Sequence, residues 1–388
     1  MKPTNNKKQN NGYSFPSDSM LKNYRMPVKT YEDFNDNPVG KEIIHFFDLL
    51  LVKANLTGIK YGPRFNRYDV LFPNWPGKKL LSKIEENLER ELDVQNVRII
   101  TITEGRKIGI EVPNGHADTV GFDEMLPELR KTFRIIPMSL GKTVSDDPVV
   151  IDVADTPHLV ISGIHGSGKT VCINNLITSV LFTKKPDEVE LILCDLAGNG
   201  LSRFNGIPHL YGREVILDIE TAMETMHAVV EEMERRVELF SRNGARKIAE
   251  YNTMMEEKGM PSDKIPYIAF IFDGFEDLML LERRRFETLI GRITALGRFC
   301  GIHLVLSTKY PSPKIISERI KSCFPTSLTF KVPHSDNSVA VIGKPGAEKL
   351  LCYGDMLYSN PTLKEAVRIQ GSFLGSELDD ITGFFRNM

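Results

Sequence analysis

Eight consecutive residues carry the strongest chemical signal in the chain. Gly163-Ile164-His165-Gly166-Ser167-Gly168-Lys169-Thr170 fits the pattern G-x-x-x-x-G-K-[ST]. Glycines at 163, 166 and 168 let successive backbone amides turn inward around a phosphate, and a helix starting at the end of the loop adds its partial positive charge. Lys169 would reach the β- and γ-phosphates, and the Thr170 hydroxyl would ligate Mg²⁺. A nucleotide site of this kind also needs a carboxylate at the end of a neighbouring strand to hold the metal's water shell. Tyr267-Ile-Ala-Phe-Ile-Phe-Asp273 supplies one, and Asp195, which ends the run Val189–Cys194, is the competing candidate.

The surrounding elements suit that chemistry. His158–Ser162 is an apolar run that predicts a strand entering the loop, and Val171–Phe182 predicts a helix leaving it. From about Val149 onward, short β-branched runs alternate with helical stretches: His158–Ser162, Val189–Asp195, Tyr267–Asp273, Gly301–Thr308 and Ser327–Val332. Runs of that kind read as buried parallel strands joined by right-handed crossovers. The expectation is an α/β domain with a mainly parallel sheet over residues 142–388.

Residues 39–141 read as a smaller α+β accessory domain. It has a helix over Glu42–Leu56, a strand over residues 66–72 ending at Pro73, and a helix over Lys79–Leu92 with apolar positions 80, 81, 84, 88 and 92. Strands at Val97–Thr103 and Ile108–Val112 follow, joined by a Glu-Gly-Arg-Lys turn. Residues 1–38, rich in Asn, Lys, Pro, Ser and Asp, read as a disordered arm whose Lys7-Lys8 pair belongs to a solvated tail.

Composition removes several alternatives. The chain has 388 residues, 41% hydrophobic and 26% charged, a globular balance. A net charge of −2 excludes a globally basic nucleic-acid binder but leaves room for a local basic patch. No apolar run reaches the ~18 residues needed to span a bilayer, the nearest, Ile43–Leu56, being broken by His45, Asp48 and Lys53, and MKPTNNKKQNNGYSF lacks the apolar segment of a signal peptide. Five cysteines with no Cys-x-x-Cys pair argue for free thiols in a cytoplasmic protein. Trp75 reads as loop packing, Phe384-Phe385 as a pin for the tail, and Met223, Met226 and Met233 as core.

The arrangement resembles the FtsK/SpoIIIE family of hexameric DNA translocases, with colinear motifs from about Gly58 to Phe373. Thr156–Gly163 is similar to the family's entry into its phosphate loop, and Asn205-Gly-Ile-Pro-His-Leu210 to a landmark after the second strand. Glu232-Met-Glu-Arg-Arg236 with Gly244–Asn252 resembles the helix and loop before the metal-side strand, and Gly301–Thr308 the sensor strand. Gly346–Tyr358 is similar to the carboxyl-terminal motor signature, and Tyr61–Asp69 resembles the opening of the family's accessory (β) domain. The resemblance implies a RecA-like ATPase core using ATP and Mg²⁺. It also implies a homo-oligomeric, hexameric ring around double-stranded DNA and pore loops that contact phosphates, for which Arg242, Arg246 and Lys247 are the candidates.

Departures from the family fall on hydrolysis. Its Asp-Glu pair is here Asp273-Gly274, leaving Glu276 as the substitute base, since Asp277 matches another family acid. Lys309-Tyr310 stands where the family has a sensor Gln followed by Arg. The stretch His334–Ile342 holds no arginine finger, a loss of about 10³-fold or more in rate. The leading expectation is therefore a DNA-translocating ATPase, with Lys169, Asp273 and Glu276 catalytic, Lys309 as sensor, and Thr170 with Asp273 on the metal. The chain also shows no recognisable winged-helix or membrane-spanning region, so a plasmid or mobile-element role is expected before a septum-anchored one. The alternative is a nucleotide-binding pseudo-motor that hydrolyses little ATP, or one in hetero-assembly with an active ATPase. A small-molecule kinase predicts none of the colinear motifs.

Overall fold

A computed structural model of the chain describes residues 13–24, 34–75, 78–102, 106–115, 118–156, 158–198 and 200–386. The Lys7-Lys8 tail lies outside them. The amino-terminal module contains helix α1 (Pro38–Leu49), strands β1 (Asn55–Tyr61) and β2 (Phe65–Leu71), helix α2 (Lys78–Glu91), and strands β3 (Arg98–Ile102) and β4 (Lys107–Pro113). Asn37 begins α1: its side-chain oxygen accepts the Gly40 amide at 2.9 Å, with Pro38 in the first turn. The helix then buries Ile43, Phe46 and Phe47 on an antiparallel sheet of order β1-β2-β4-β3. The helix expected to run to residue 56 stops at Leu49. Leu51 turns the chain at φ 57°, and β1 forms as a half-exposed edge strand from Asn55.

The second unit runs α3 (Leu126–Lys131), β5 (Pro137–Thr143), β6 (Pro148–Asp152), β7 (Leu159–Ser162), α4 (Lys169–Thr183), β8 (Val189–Asp195), α5 (Ile219–Asn243) and α6 (Ile248–Glu257). It continues through β9 (Tyr267–Asp273), α7 (Glu276–Leu281), α8 (Arg283–Cys300), β10 (Ile302–Thr308), α9 (Glu318–Cys323) and β11 (Thr326–Phe330). The last elements are α10 (Ser335–Ile342), β12 (Asp355–Ser359), β13 (Val367–Gly371) and α11 (Glu377–Arg386). Among the described residues nine strands form one sheet, in the order β6-β5-β13-β12-β11-β7-β10-β9-β8. The block β11-β7-β10-β9-β8 is parallel throughout, and its five strands are the five β-branched runs of the sequence. Strands β12, β13, β5 and β6 extend it antiparallel. Apolar layers cover both faces, one built on α4 and the other on α5, α6 and α8, which is why the parallel strands are buried along nearly their whole length and mostly apolar. Met223, Met226 and Met233 belong to the second layer.

Two expectations about domain limits are corrected. The boundary at 141/142 falls inside β5, whose residues pair with β13 and β6, so the larger unit's sheet begins at Pro137. Residues 13–24 are not a free arm: the Tyr13 hydroxyl donates to Leu181 O at 3.1 Å and its ring stacks on Phe385 at 5.9 Å. Tyr24 donates to Glu377 at 2.9 Å, so the segment straps α11 to the core. Polar composition hid this because the apolar contacts, made by Tyr13, Met20 and Leu21 on the core and Tyr24 on Phe373, are scattered through a stretch of Ser, Asp, Lys and Asn with no helical or strand period.

Candidate functional site

Strand order places the catalytic candidates. In the parallel block β10 lies between β7 and β9, so the loop after β7 and the carboxyl end of β9 open on the same edge of the sheet. Ligands of such sheets sit outside the carboxyl ends of the strands. A cavity of about 610 Å³ is found there, lined by Lys169, Thr170, Asp273, Glu276 and Lys309 among others.

The glycines are set by space as well as by dihedral angle. Gly163 (φ 151°) could take a Cβ only at 2.6 Å from the Phe330 Cβ, and at Gly168 (φ 120°) one would meet the Gly354 backbone at 2.8 Å. Gly354 N donates to Ser167 O at 2.8 Å, so the turn before β12 braces the loop from outside. Lys169 folds back over the loop, its ammonium donating to Ile164 O at 2.9 Å. Burial lowers its pKa; the carboxylates of Asp273 and Glu276 oppose that, and Lys309 adds to it.

Asp273 is buried, and Ser307 of the intervening strand donates its hydroxyl to Oδ1 at 2.8 Å. Asp195 stands level with it on β8, but its Oδ2 accepts the amides of Gly200 and Leu201, each at 2.9 Å. It therefore caps the following loop and is set aside as the metal-side acid. Glu276 opens α7 and is buried, with its Oε2 lacking a hydrogen-bond partner among the described residues. Burial raises its pKa above the usual 4.5, against the lowering effects of its own amide, Thr308 and Lys309.

The residues fit a triphosphate with a cation. Among the described residues no three His, Cys, Asp or Glu could hold a metal by themselves. A cation beside Thr170 would thus need the nucleotide's own oxygens, the usual magnesium arrangement. Arg242, Arg246 and Lys247 lie apart from the cavity, exposed around the turn from α5 to α6. Arg242 pairs with Glu238 at 2.5 Å and Lys247 with Glu250 at 3.9 Å. Sequence reasoning assigns no role to Arg64 or Tyr353, which also line the cavity. Both stand inside motifs already singled out, but 289 positions separate them and no local pattern announces that they meet.

Comparison with known proteins adds relatives over most of the chain. The profile described as FtsK/SpoIIIE family matches residues 127–313, and that described as FtsK alpha domain matches residues 15–114. The amino-terminal module is therefore matched as the family's alpha domain, which corrects the β assignment expected from Tyr61–Asp69. The DNA translocase FtsK of Treponema pallidum is 38% identical over 94% of this chain and 46% of its own length. That of Borreliella burgdorferi is 40% identical over 83% and 41%. The chain thus spans less than half the length of these relatives. In fold it is similar to the pCW3 conjugation coupling protein TcpA, solved as a monomer with ATPγS (TM-score 0.60, 20% identity, 90% of this chain and 99% of that one). The cytoplasmic domain of the Thermomonospora curvata type VII secretion ATPase EccC is also similar (TM-score 0.59, 19% identity, 69% and 34%).

Proposed function

The chain belongs to the FtsK/SpoIIIE family, and from that membership we propose that it is an ATP-driven translocase of double-stranded DNA. The observation that carries the reading is the phosphate loop at 163–170 sharing one cavity with the buried Asp273 and Glu276. In this reading the loop amides and Lys169 hold the β- and γ-phosphates, and Thr170 with Asp273 holds Mg²⁺, whose charge neutralises the phosphate oxygens. Glu276 takes the proton of the attacking water, and Lys309 faces the γ-phosphate. A homo-oligomeric ring, hexameric as in the family, would place Arg242, Arg246 and Lys247 on the DNA backbone. We propose a cytoplasmic location and a role in plasmid or mobile-element DNA transfer, segregation or replication; among the described residues no helix is long and apolar enough to cross a membrane.

A second reading, a nucleotide-binding pseudo-motor or adaptor, is favoured by position 274. Gly274 has φ 89°, and a Cβ there would lie 2.7 Å from Ala197 N, so the family's glutamate has no room at this point of the backbone. One experiment separates the two: ATP hydrolysis by the purified chain, with and without duplex DNA, at 50 and 200 mM salt, beside native mass measurement. Translocase function requires turnover stimulated by DNA, with DNA affinity falling steeply, by roughly 10³-fold if about six phosphates are contacted. ATP binding with negligible turnover, unrescued by DNA, selects the adaptor. No affinity for ATP in the presence of Mg²⁺ would sink both.

A further inference from the structure

The accessory module reaches into the nucleotide cavity, and we propose that Arg64 of that module and Tyr353 of the motor turn together form the wall that holds the purine base. The inference rests on the nucleotide reading of the cavity and adds residues that position and select the base.

Topology separates the two ends of the cavity. The acids and Lys309 follow β9 and β10, on one side of the loop-bearing strand β7. Tyr353, Gly354 and Phe373 flank β12 and β13, on the other side, beyond β11. With the reacting phosphate toward the acids, the base extends toward Tyr353. That wall also carries Val120, Leu140, Met356 and Phe373, apolar surface of the kind a purine ring covers and a phosphate does not.

Tyr353 is built to present its ring. Its backbone stands at φ 64°, a conformation an aromatic residue adopts only when its surroundings impose it, and the side chain is 76% exposed. The carbonyl of Tyr353 accepts Gln370 Nε2 at 2.9 Å, and the next amide, Gly354 N, is tied to the phosphate loop. Arg64 arrives from the other module. Its guanidinium donates to Cys352 O at 3.2 Å and to Tyr353 O at 3.4 Å and lies 5.8 Å from the tyrosine ring centre. No carboxylate pairs with it among the described residues, so its charge stays available to an electron-rich ring.

The position of Arg64 is fixed. The neighbouring Phe65 ring lies 4.0 Å under the Arg368 guanidinium. Arg368 binds Asp355 on β12 at 2.6 and 2.9 Å and Glu111 on β4 at 3.0 Å, all three residues buried. One ionic cluster thus fastens the accessory sheet to the strand that starts two residues after Tyr353.

The test measures the affinity of the full chain for Mg²⁺-ATP and for Mg²⁺-tripolyphosphate, which lacks base and ribose. Arg64→Ala and Tyr353→Ala should each weaken ATP roughly tenfold and leave tripolyphosphate unchanged, since stacking on the base is removed while the grip on the phosphates is kept. Tyr353→Asn, whose side chain tolerates the left-handed backbone, should behave as the alanine variant does, and Tyr353→Phe should keep ATP affinity. Unchanged tripolyphosphate binding also certifies that each variant is folded. Wild-type ATP affinity in Arg64→Ala and Tyr353→Ala, or equal loss of both ligands, overturns the proposal while the nucleotide reading stands. Lys169→Ala is the control for that reading: it should weaken both ligands, and ATP binding unaltered by it would remove the premise.

Discussion

In the proposed mechanism Glu276 must be ionised for chemistry, yet it is held where ionisation is unfavourable. Burial raises its pKa above 4.5, so turnover that depends on its carboxylate should rise with pH through a value above that of an ordinary glutamate. In Glu276→Gln the rate should be low and this limb absent, which a pH–rate profile checks. The same shift fixes a stability effect of known sign. A carboxyl with a raised folded pKa stabilises the fold while protonated, fully so below its unfolded value. That contribution is lost as pH rises through the folded value. At pH 8 the charged side chain is therefore a burden, and Glu276→Gln should melt at a higher temperature than wild type, the gap closing near pH 4. Calorimetry at the two pH values measures it, and a lower melting temperature at pH 8 would contradict the assignment. Gly274 gives the complementary case. Its φ of 89° and the 2.7 Å approach to Ala197 N make any side chain strained there, so Gly274→Ala should cost about 1–3 kcal/mol in a denaturant titration. Gly274→Glu should destabilise at least as much without raising turnover, although in sequence it restores the family pair.

At the scale of elements, what the sequence revealed follows how each strand is buried. The five parallel strands are buried on both faces and mostly apolar or β-branched, so their residue types alone announce them. The strands β5, β12 and β13 carry Lys142, Asp355 and Arg368, side chains that read as surface and are buried only because a distant partner receives them. Lys142 meets Glu124 at 2.6 Å, and Arg368 meets Asp355 and Glu111. The partners of Arg368 lie 13 and 257 positions away, beyond any local pattern. The phosphate loop was legible for the opposite reason, since eight contiguous residues make it. The buried cluster gives a prediction for the joint between the modules. Arg368→Met leaves Asp355 buried without its cation and Glu111 with Arg98 alone, at 3.4 Å, and should cost about 3–5 kcal/mol. Replacing Asp355 by Asn in the same chain should recover part of that loss, because the uncompensated charge is then removed. Full additivity of the two changes in urea unfolding would show that the cluster does not act as a unit.

For the whole molecule, the proposed function requires a net charge of −2 to coexist with a polyanionic track, and the proposed solution is local. Arg242 and Lys247 are held by Glu238 and Glu250 in exposed ion pairs, each worth about 0.2–1 kcal/mol. Exchanging such a partner for a DNA phosphate therefore costs little, and releasing condensed counterions from the DNA favours it at low salt. A ring would multiply these phosphate pairings by its number of subunits. Combined replacement of Arg242, Arg246 and Lys247 by Ala should leave ATP affinity unchanged, since none of the three lines the cavity. It should abolish stimulation of hydrolysis by duplex DNA and flatten the dependence of DNA affinity on salt by about one unit of slope for each phosphate no longer neutralised. Fluorescence anisotropy of labelled duplex between 50 and 200 mM salt reads that slope directly. An unaltered slope with full stimulation would place the track on another face of the subunit, whereas weakened ATP binding would show that the turn after α5 communicates with the phosphate loop.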